Sequence, residues 1–354
     1  MKLLFVLTAA LLISALFWWW LGKPGLWLRD RMAWVRIVAP GDGAVVQWQG
    51  AETQGVRVGG ATGWLVGDLG LSVAKGDDPV AGSAPAIPAK AFFGQFDAEV
   101  PMVPGWNRIV LQGRWWDHVF ATSARIAVGD VFIVVGQSNA LGSGNVFFAA
   151  ASDDVRSARF GADGVLHWRR GDDPQAPEGK GSPWPLVGSE YHKLTQRPVG
   201  FINIAENGSS VRDWLPGGEL FGRLEKALNH AAPHYVRGIL WAQGEADSAM
   251  SAEEYAESLE AIIRASNALT DRPGEVPWIV AQSSYVNGAP VPAVRKGIDR
   301  VVRAGLAFSG PDLDVLGPEF RQSDAVHLNA EGTKAAAALW LDVLTRHLPE
   351  ARNN

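Results

Sequence analysis

Two short stretches of the chain hold the residue types that nucleophilic catalysis needs. Gly136-Gln137-Ser138-Asn139-Ala140 follows an apolar run and opens into Leu141-Gly142-Ser143-Gly144. A serine leaving a buried strand at such a turn is presented at the edge of a sheet with its hydroxyl exposed, and its own backbone N–H can meet a developing oxyanion. Asp324-Ala325-Val326-His327 lies near the C-terminus, ahead of a helical pattern that begins at Ala330. A spacing of three within one loop lets the carboxylate reach the imidazole and set its tautomer, leaving the other ring nitrogen free to take the serine proton. Taken singly, each stretch also fits a plainer reading: a serine N-cap, or a surface Asp beside a helix-flanking His. Together, and in that order on an α/β pattern, they point to acyl transfer, with Ser138 as nucleophile, His327 as general base and Asp324 as its orienting partner.

The elements that must hold these residues are legible in the hydrophobic pattern. From residue 131 onward, apolar runs at 131–135, 199–204, 238–241 and 276–281 alternate with amphipathic stretches at 252–269 and 330–347. This alternation predicts a parallel sheet flanked by helices, whose strand ends are where sites form. Residues 35–126 read differently, as short apolar runs punctuated by Gly, Pro and Asp, among them Pro40-Gly41-Asp42-Gly43 and Val103-Pro104-Gly105-Trp106-Asn107. That pattern predicts an all-β region of immunoglobulin-like sandwich type. The Gly-, Ala- and Pro-rich stretch 76–88 reads as a loop within it.

Ahead of both regions, residues 3–21 are unbroken and uncharged, about the length a bilayer-spanning helix needs. The choice is between a cleaved signal and a retained anchor. No small-residue cleavage pattern occurs near Trp18, Trp19 and Trp20, which instead suit an interfacial aromatic belt, so residues 1–22 are expected to stay as an anchor or uncleaved signal. Lys23, Arg29, Arg31 and Arg36 follow the span and only Lys2 precedes it, a bias that favours a cytoplasmic C-terminal side. Large domains translocate despite such charge, and the substrate class argued below is mostly extracytoplasmic, so the catalytic domain is expected outside the cytoplasm.

Composition removes several other functions. A formal net charge of −5 without any Lys or Arg run leaves no footprint for nucleic acid. The absence of Cys excludes disulfides, thiolate nucleophiles and Cys-based zinc sites. The seven His form no HExxH and no close His-carboxylate cluster, so neither a metal nor another cofactor is expected.

Four motifs in order then carry a family resemblance. Val128-Gly129-Asp130-Val131-Phe132 leads into Gly136-Gln137-Ser138-Asn139; Asn207-Gly208-Ser209-Ser210 is followed by Trp214; Trp241-Ala242-Gln243-Gly244-Glu245-Ala246-Asp247 comes next; and Asp324 to His327 closes the set. Nearly the whole chain after the apolar N-terminus resembles the SGNH (GDSL-like) hydrolases, in their sialate O-acetylesterase-like, carbohydrate acetylesterase branch. The resemblance implies a flavodoxin-like three-layer αβα domain over 128–350, preceded by the β-sandwich at 35–126. It implies an acetylated carbohydrate as substrate, hydrolysed through an acyl-enzyme on Ser138 by the Ser138-His327-Asp324 triad. It also implies an oxyanion hole of the Ser138 and Gly208 amides with the Gln243 side chain, where Asn207 replaces the first Gly of a common Gly-Gly pair. Glu245 and Asp247 are expected to brace their loop, and Arg212 and Asp213 to sit in a solvated one. Gln137, Asn139, Trp184 and Trp214 are candidate substrate contacts, the two Trp as stacking walls of a sugar cleft or, on their average burial, as core. Other readings on the same residues are an acetyltransferase, a lipid or thioester hydrolase, and a non-catalytic carbohydrate-binding protein.

Overall fold

A computed structural model describes residues 34–76, 87–115, 118–176, 178–231, 236–270 and 276–347. The predicted anchor at 1–22, its flanking charges up to Arg31 and most of the predicted loop at 76–88 lie outside the described residues. Among the described residues no helix is long and apolar enough to cross a membrane.

The strands in chain order are β1 (Val35–Ala39), β2 (Ala44–Gln47), β3 (Gln54–Thr62), β4 (Gly67–Lys75), β5 (Ile87–Ala89), β6 (Ala91–Phe92), β7 (Gln95–Met102), β8 (Gly105–Trp115), β9 (His118–Gly136), β10 (Val155–Phe160), β11 (Leu166–Arg170), β12 (Val199–Asn203), β13 (Gly238–Ala242), β14 (Trp278–Gln282) and β15 (Phe308–Asp312). The α-helices are α1 (Ser138–Leu141), α2 (Trp184–Thr195), α3 (Glu219–Ala231), α4 (Ala252–Ala268), α5 (Pro292–Arg303) and α6 (Ala330–His347). The described chain forms two compact units, and the division falls within β9, at Arg125 and Ile126.

The first unit holds the described residues up to Pro40, Gly55–Met102 and Asn107–Arg125. Its described elements are all strands, as the punctuated pattern predicts. One sheet has the order β1-β3-β7-β6, and β4 pairs antiparallel with both β5 and β8. Alternate residues point inward, with Val56, Val58, Leu71, Val100, Ile109 and Leu111 buried.

The second unit takes Gly41–Gln54 and Val103–Trp106 together with everything from Ile126 onward. Its sheet runs β11-β10-β12-β9-β13-β14-β15, parallel throughout except for β11 at one edge. Val131–Val135 on β9 are fully buried, which is why this strand reads as a continuous apolar run and not an alternating one. Helices α3, α4 and α5 pack one face of the sheet, around Trp214, Trp241 and Trp278; α2 and α6 pack the other, around Trp184 and Trp340. The three αβα layers match the expectation. Because β9 lies between β12 and β13 and the chain winds outward on both sides of it, the sheet reverses its strand order there. The crevice outside the carboxyl end of β9 is therefore the position that such a topology leaves open for a site.

Asp130, within β9, is wholly buried and serves the structure. It accepts Arg197 Nη2 at 2.9 Å and the Tyr191 hydroxyl at 3.0 Å.

Candidate active site

Ser138 opens the single-turn α1 directly after β9, and its helical start leaves its backbone N–H without an i−4 carbonyl. Its Oγ lies 2.9 Å from His327 Nε2, across a sequence separation of 189 residues. On the far side of the ring, His327 Nδ1 is 2.6 Å from Asp324 Oδ2. The other carboxylate oxygen, Oδ1, accepts the backbone N–H of Val326 and of His327, each at 2.9 Å. Partial burial pushes the Asp324 carboxyl up, but these hydrogen bonds outweigh it and hold the group below its ordinary range. An ionised Asp324 accepts a hydrogen bond from Nδ1–H, so Nε2 is the lone-pair nitrogen and the Ser138 hydroxyl donates to it. The turn that makes this possible places Ala325 at φ +59°, in the left-handed region.

Two residues outside the motifs lock that turn. Arg321 is buried, donates through Nη1 to Val326 O at 2.7 Å and stacks over Tyr285 at 4.6 Å. Gln322 Nε2 reaches Ser143 O at 2.8 Å, tying the His327 loop to the loop after Ser138. Neither residue falls in a recognisable motif, so no sequence signal pointed to them. Asn139 does, in a role other than the expected one. Its Nδ2 donates to Glu245 Oε1 at 2.9 Å, and its Oδ1 accepts Leu328 N–H at 3.2 Å. With both ends of its amide occupied and its side chain buried, Asn139 is a brace and not a substrate contact.

A cleft of about 510 Å³ opens over Ser138 and His327, with Gln137, Asn207, Gly208 and Glu245 in its walls. Lys180 and Glu178 also line it, and Arg159 pairs with Glu178 at 2.7 Å; sequence reasoning had singled out none of these three. Gly208 adopts φ +66° and a Cβ there would meet nothing within 4 Å, so its requirement for glycine is conformational. Asn207 keeps an ordinary negative φ, so the replacement of a Gly at this position costs the turn nothing.

The expected oxyanion role of Gln243 is not borne out by the geometry. Its side chain is fully buried, and its Nε2 donates to Ser209 O at 3.0 Å, to Gln137 Oε1 at 3.3 Å and to Asp247 Oδ2. Every donor is spent inside the protein, below the cleft floor. Gln137 presents the opposite case. Its Oε1 accepts the backbone N–H of Gly244 and of Ala246, each at 3.2 Å, which fixes the orientation of the amide. With Oε1 so engaged, Nε2 is the donor that remains on a side chain lining the cleft.

Trp184 and Trp214 are likewise corrected from substrate walls to core. They are 1% and 0% exposed, and their indole N–H groups donate to Ala140 O at 2.6 Å and Ser209 Oγ at 3.0 Å. Burying a large aromatic with its N–H satisfied is the cheaper outcome. Asp247 braces its loop as expected, accepting Val211 N at 2.8 Å. Arg212 and Asp213 sit away from the cleft, the first paired with Glu254 at 2.6 Å, the second capping Ser210 N at 2.8 Å. Glu245 divides its roles. Oε1 accepts Asn139 and, at 3.0 Å, Ser283 Oγ, while the buried Oε2 has no partner. Burial pushes its carboxyl above the ordinary value against the pull of these hydrogen bonds.

The geometry thus joins a serine, an imidazole and a carboxylate at one strand end. Residues 128–342, more than half of the chain, match the model of the carbohydrate esterase family described as sialic acid-specific acetylesterase (SASA). The chain belongs to the SASA family. Membership makes it a hydrolase of ester bonds in the carbohydrate acetylesterase class. The matched span takes in all four motifs of the SASA chain, from Val128–Phe132 within β9 to the Asp324–His327 loop. Among solved structures, a carbohydrate acetylesterase from Xanthomonas citri is similar at 18% identity and a TM-score of 0.59, covering 88% of this chain and 75% of that one. A protein from Arabidopsis thaliana is similar at 20% identity and a TM-score of 0.48, over 62% of this chain and 98% of its own. The Xanthomonas likeness supports the mixed α/β fold of the SASA chain. No curated protein sequence matches it.

Proposed function

We propose that the protein removes O-acetyl groups from a carbohydrate through an acyl-enzyme on Ser138. The observation that carries this is the unbroken relay of Ser138 Oγ, His327 Nε2, His327 Nδ1 and Asp324 Oδ2, at 2.9 and 2.6 Å, on the wall of an open cleft. Ser138 passes its proton to His327 as Oγ attacks the acetyl carbonyl, and Asp324 stabilises the imidazolium. The tetrahedral oxyanion is met by the backbone N–H of Ser138 and Gly208 and by the Gln137 side-chain amide. His327 then protonates the departing sugar oxygen, and a water activated by the same imidazole releases acetate and restores the serine. Ser138→Ala should abolish acetate release from acetylated polysaccharides while leaving the fold intact by circular dichroism. Undiminished release by that variant would refute the mechanism.

In this reading 128–350 is the catalytic domain and 35–126 an accessory β-sandwich of immunoglobulin-like type. Residues 1–22 anchor the chain in a membrane, with the catalytic domain on the extracytoplasmic side. The apolar run and the three Trp at its end support the anchor. A C-terminal reporter active only in the cytoplasm would reverse the orientation.

A further inference from the structure

The first unit displays large apolar side chains where a soluble surface would not keep them. Trp64, in the turn between β3 and β4, is 86% exposed; Phe92 and Phe93, at the β6–β7 hairpin, are 76% and 89% exposed. The Phe92 and Phe93 rings meet edge to face, with centroids 4.5 Å apart. These positions form one cluster. Thr62 N donates to Gly94 O at 2.8 Å, which draws the hairpin tip against the turn bearing Trp64, and a Cβ built on Gly94 would lie 3.7 Å from the Trp64 ring. Gly63 N donates to Trp34 O at 2.8 Å, which brings the start of the described chain to the same place.

Phe93 is unfavourable here on two counts. It sits at φ +49° beside Gly94 at φ +72°, in a two-residue turn whose left-handed first position normally takes Asn, Asp or Gly. A bulky side chain in that region is strained, and exposure of the ring to water adds to the cost. Contiguous exposed apolar surface marks an interaction site.

We propose that this aromatic cluster beds into the interfacial layer of a phospholipid bilayer, holding the first unit against the membrane. The proposal rests on the membrane-anchor reading and is independent of the esterase reading. Two observations choose a bilayer over a glycan. First, the chain that precedes the cluster is the one with the apolar run: Leu21 is separated from Trp34 by a stretch spanning at most about 45 Å when fully extended. Second, sugar subsites place carboxylates, amides or hydroxyls to bond ring hydroxyls. Residues 61–66 and 87–94 contain no carboxylate or amide and Thr62 is buried; the adjoining amide is the exposed Gln95, opposite Phe92 at the start of β7. The nearest acid along the chain is Asp68. The flanking exposed charges include the cations Lys90 and Arg36, the latter on β1 opposite Ala61, together with the acid Asp68. Aromatic rings flanked by cations suit an interface of anionic headgroups.

The Cys-free sequence allows a clean test on the full chain. Phe93→Cys and Lys75→Cys would each be labelled with a nitroxide and reconstituted into phosphatidylcholine–phosphatidylglycerol vesicles. Lys75 is the control because it lies at the opposite end of β4, about 27 Å from Gly67 along the strand. In vesicles, the label at 93 should lose collisions with an aqueous nickel chelate and gain them with oxygen, while the label at 75 stays water-accessible. Equal nickel accessibility at the two positions overturns the proposal. So does protection at 93 that appears only when an acetylated glycan is added, since that would make the cluster a sugar platform. Failure of the chain to float with the vesicles overturns the anchor together with it, whereas acetate release by the same labelled proteins reports separately on the esterase.

Discussion

Asn139 Nδ2 lies 2.9 Å from Glu245 Oε1, and the same side chain receives Leu328 N–H at 3.2 Å through its Oδ1. The residue after the nucleophile therefore couples the turn that follows β13 to the loop carrying His327. This coupling predicts that Asn139→Ala impairs turnover without touching substrate. Loss of register between His327 and Ser138 by around 1 Å is worth about 10²-fold in rate. The expected outcome is a fall of that order in kcat with KM nearly unchanged. A rise in KM at constant kcat would instead return Asn139 to the substrate contacts.

The two glutamines should separate in kinetics. Gln137 lines the cleft and is an oxyanion donor in the proposed mechanism, so Gln137→Ala should lower kcat by about 10²- to 10³-fold, the usual effect of deleting one such donor. Gln243 supports Ser209, Gln137 and Asp247 from below. Its replacement by Ala leaves buried partners unsatisfied and should lower stability by about 1–3 kcal/mol, measured by urea titration. A larger kcat loss for Gln243→Ala at unchanged stability would contradict this assignment.

Two carboxyls give pH dependences of opposite sign. Burial pushes the Asp173 carboxyl up to about 6, although Ser182 N and Oγ donate to it at 2.9 and 2.7 Å. The native state then holds a proton that the unfolded state releases, so this group's contribution to stability falls as pH rises from its ordinary value of 3.8 to about 6. Asp324 is held below its ordinary value, so its contribution is present above that value and is lost as pH falls through the lowered one. Melting temperatures of the parent and Asp173→Asn between pH 4 and 7 should converge toward the acidic end if Asp173 is responsible; parallel curves would exclude it.

Trp184 distinguishes core from cleft. It is 1% exposed, packs against Trp340 with ring centroids 5.6 Å apart and donates to Ala140 O. Trp184→Ala should cost about 3–5 kcal/mol of stability, as large-to-small changes at buried aromatics do. The surviving folded fraction should keep its KM for acetylated sugar. A KM defect in a variant of undiminished stability would restore the stacking role.

The sequence by itself determined the order of the motifs, the parallel sheet and the contact between Asp324 and His327. A separation of three residues settles that contact locally, and fully buried strands such as β9 and β13 announce themselves as continuous apolar runs. The tertiary structure alone decided which polar groups face the cleft. Gln137 and Gln243 are both amides at the carboxyl ends of neighbouring strands, and nothing in their local pattern tells one from the other. The distinction comes from hydrogen bonds to Gly244, Ala246, Ser209 and Asp247, partners whose positions depend on strand register and loop path. The same holds for the burial of Trp184 and Trp214 and for the contribution of Arg321 and Gln322. It holds too for the grouping of Gly41–Gln54 with the hydrolase unit, which follows from the pairing of β2 with β9 from Ala44↔Ile126 to Gln47↔Gly129. Local spacing specifies contacts within a turn; contacts between distant segments exist only once the chain has packed.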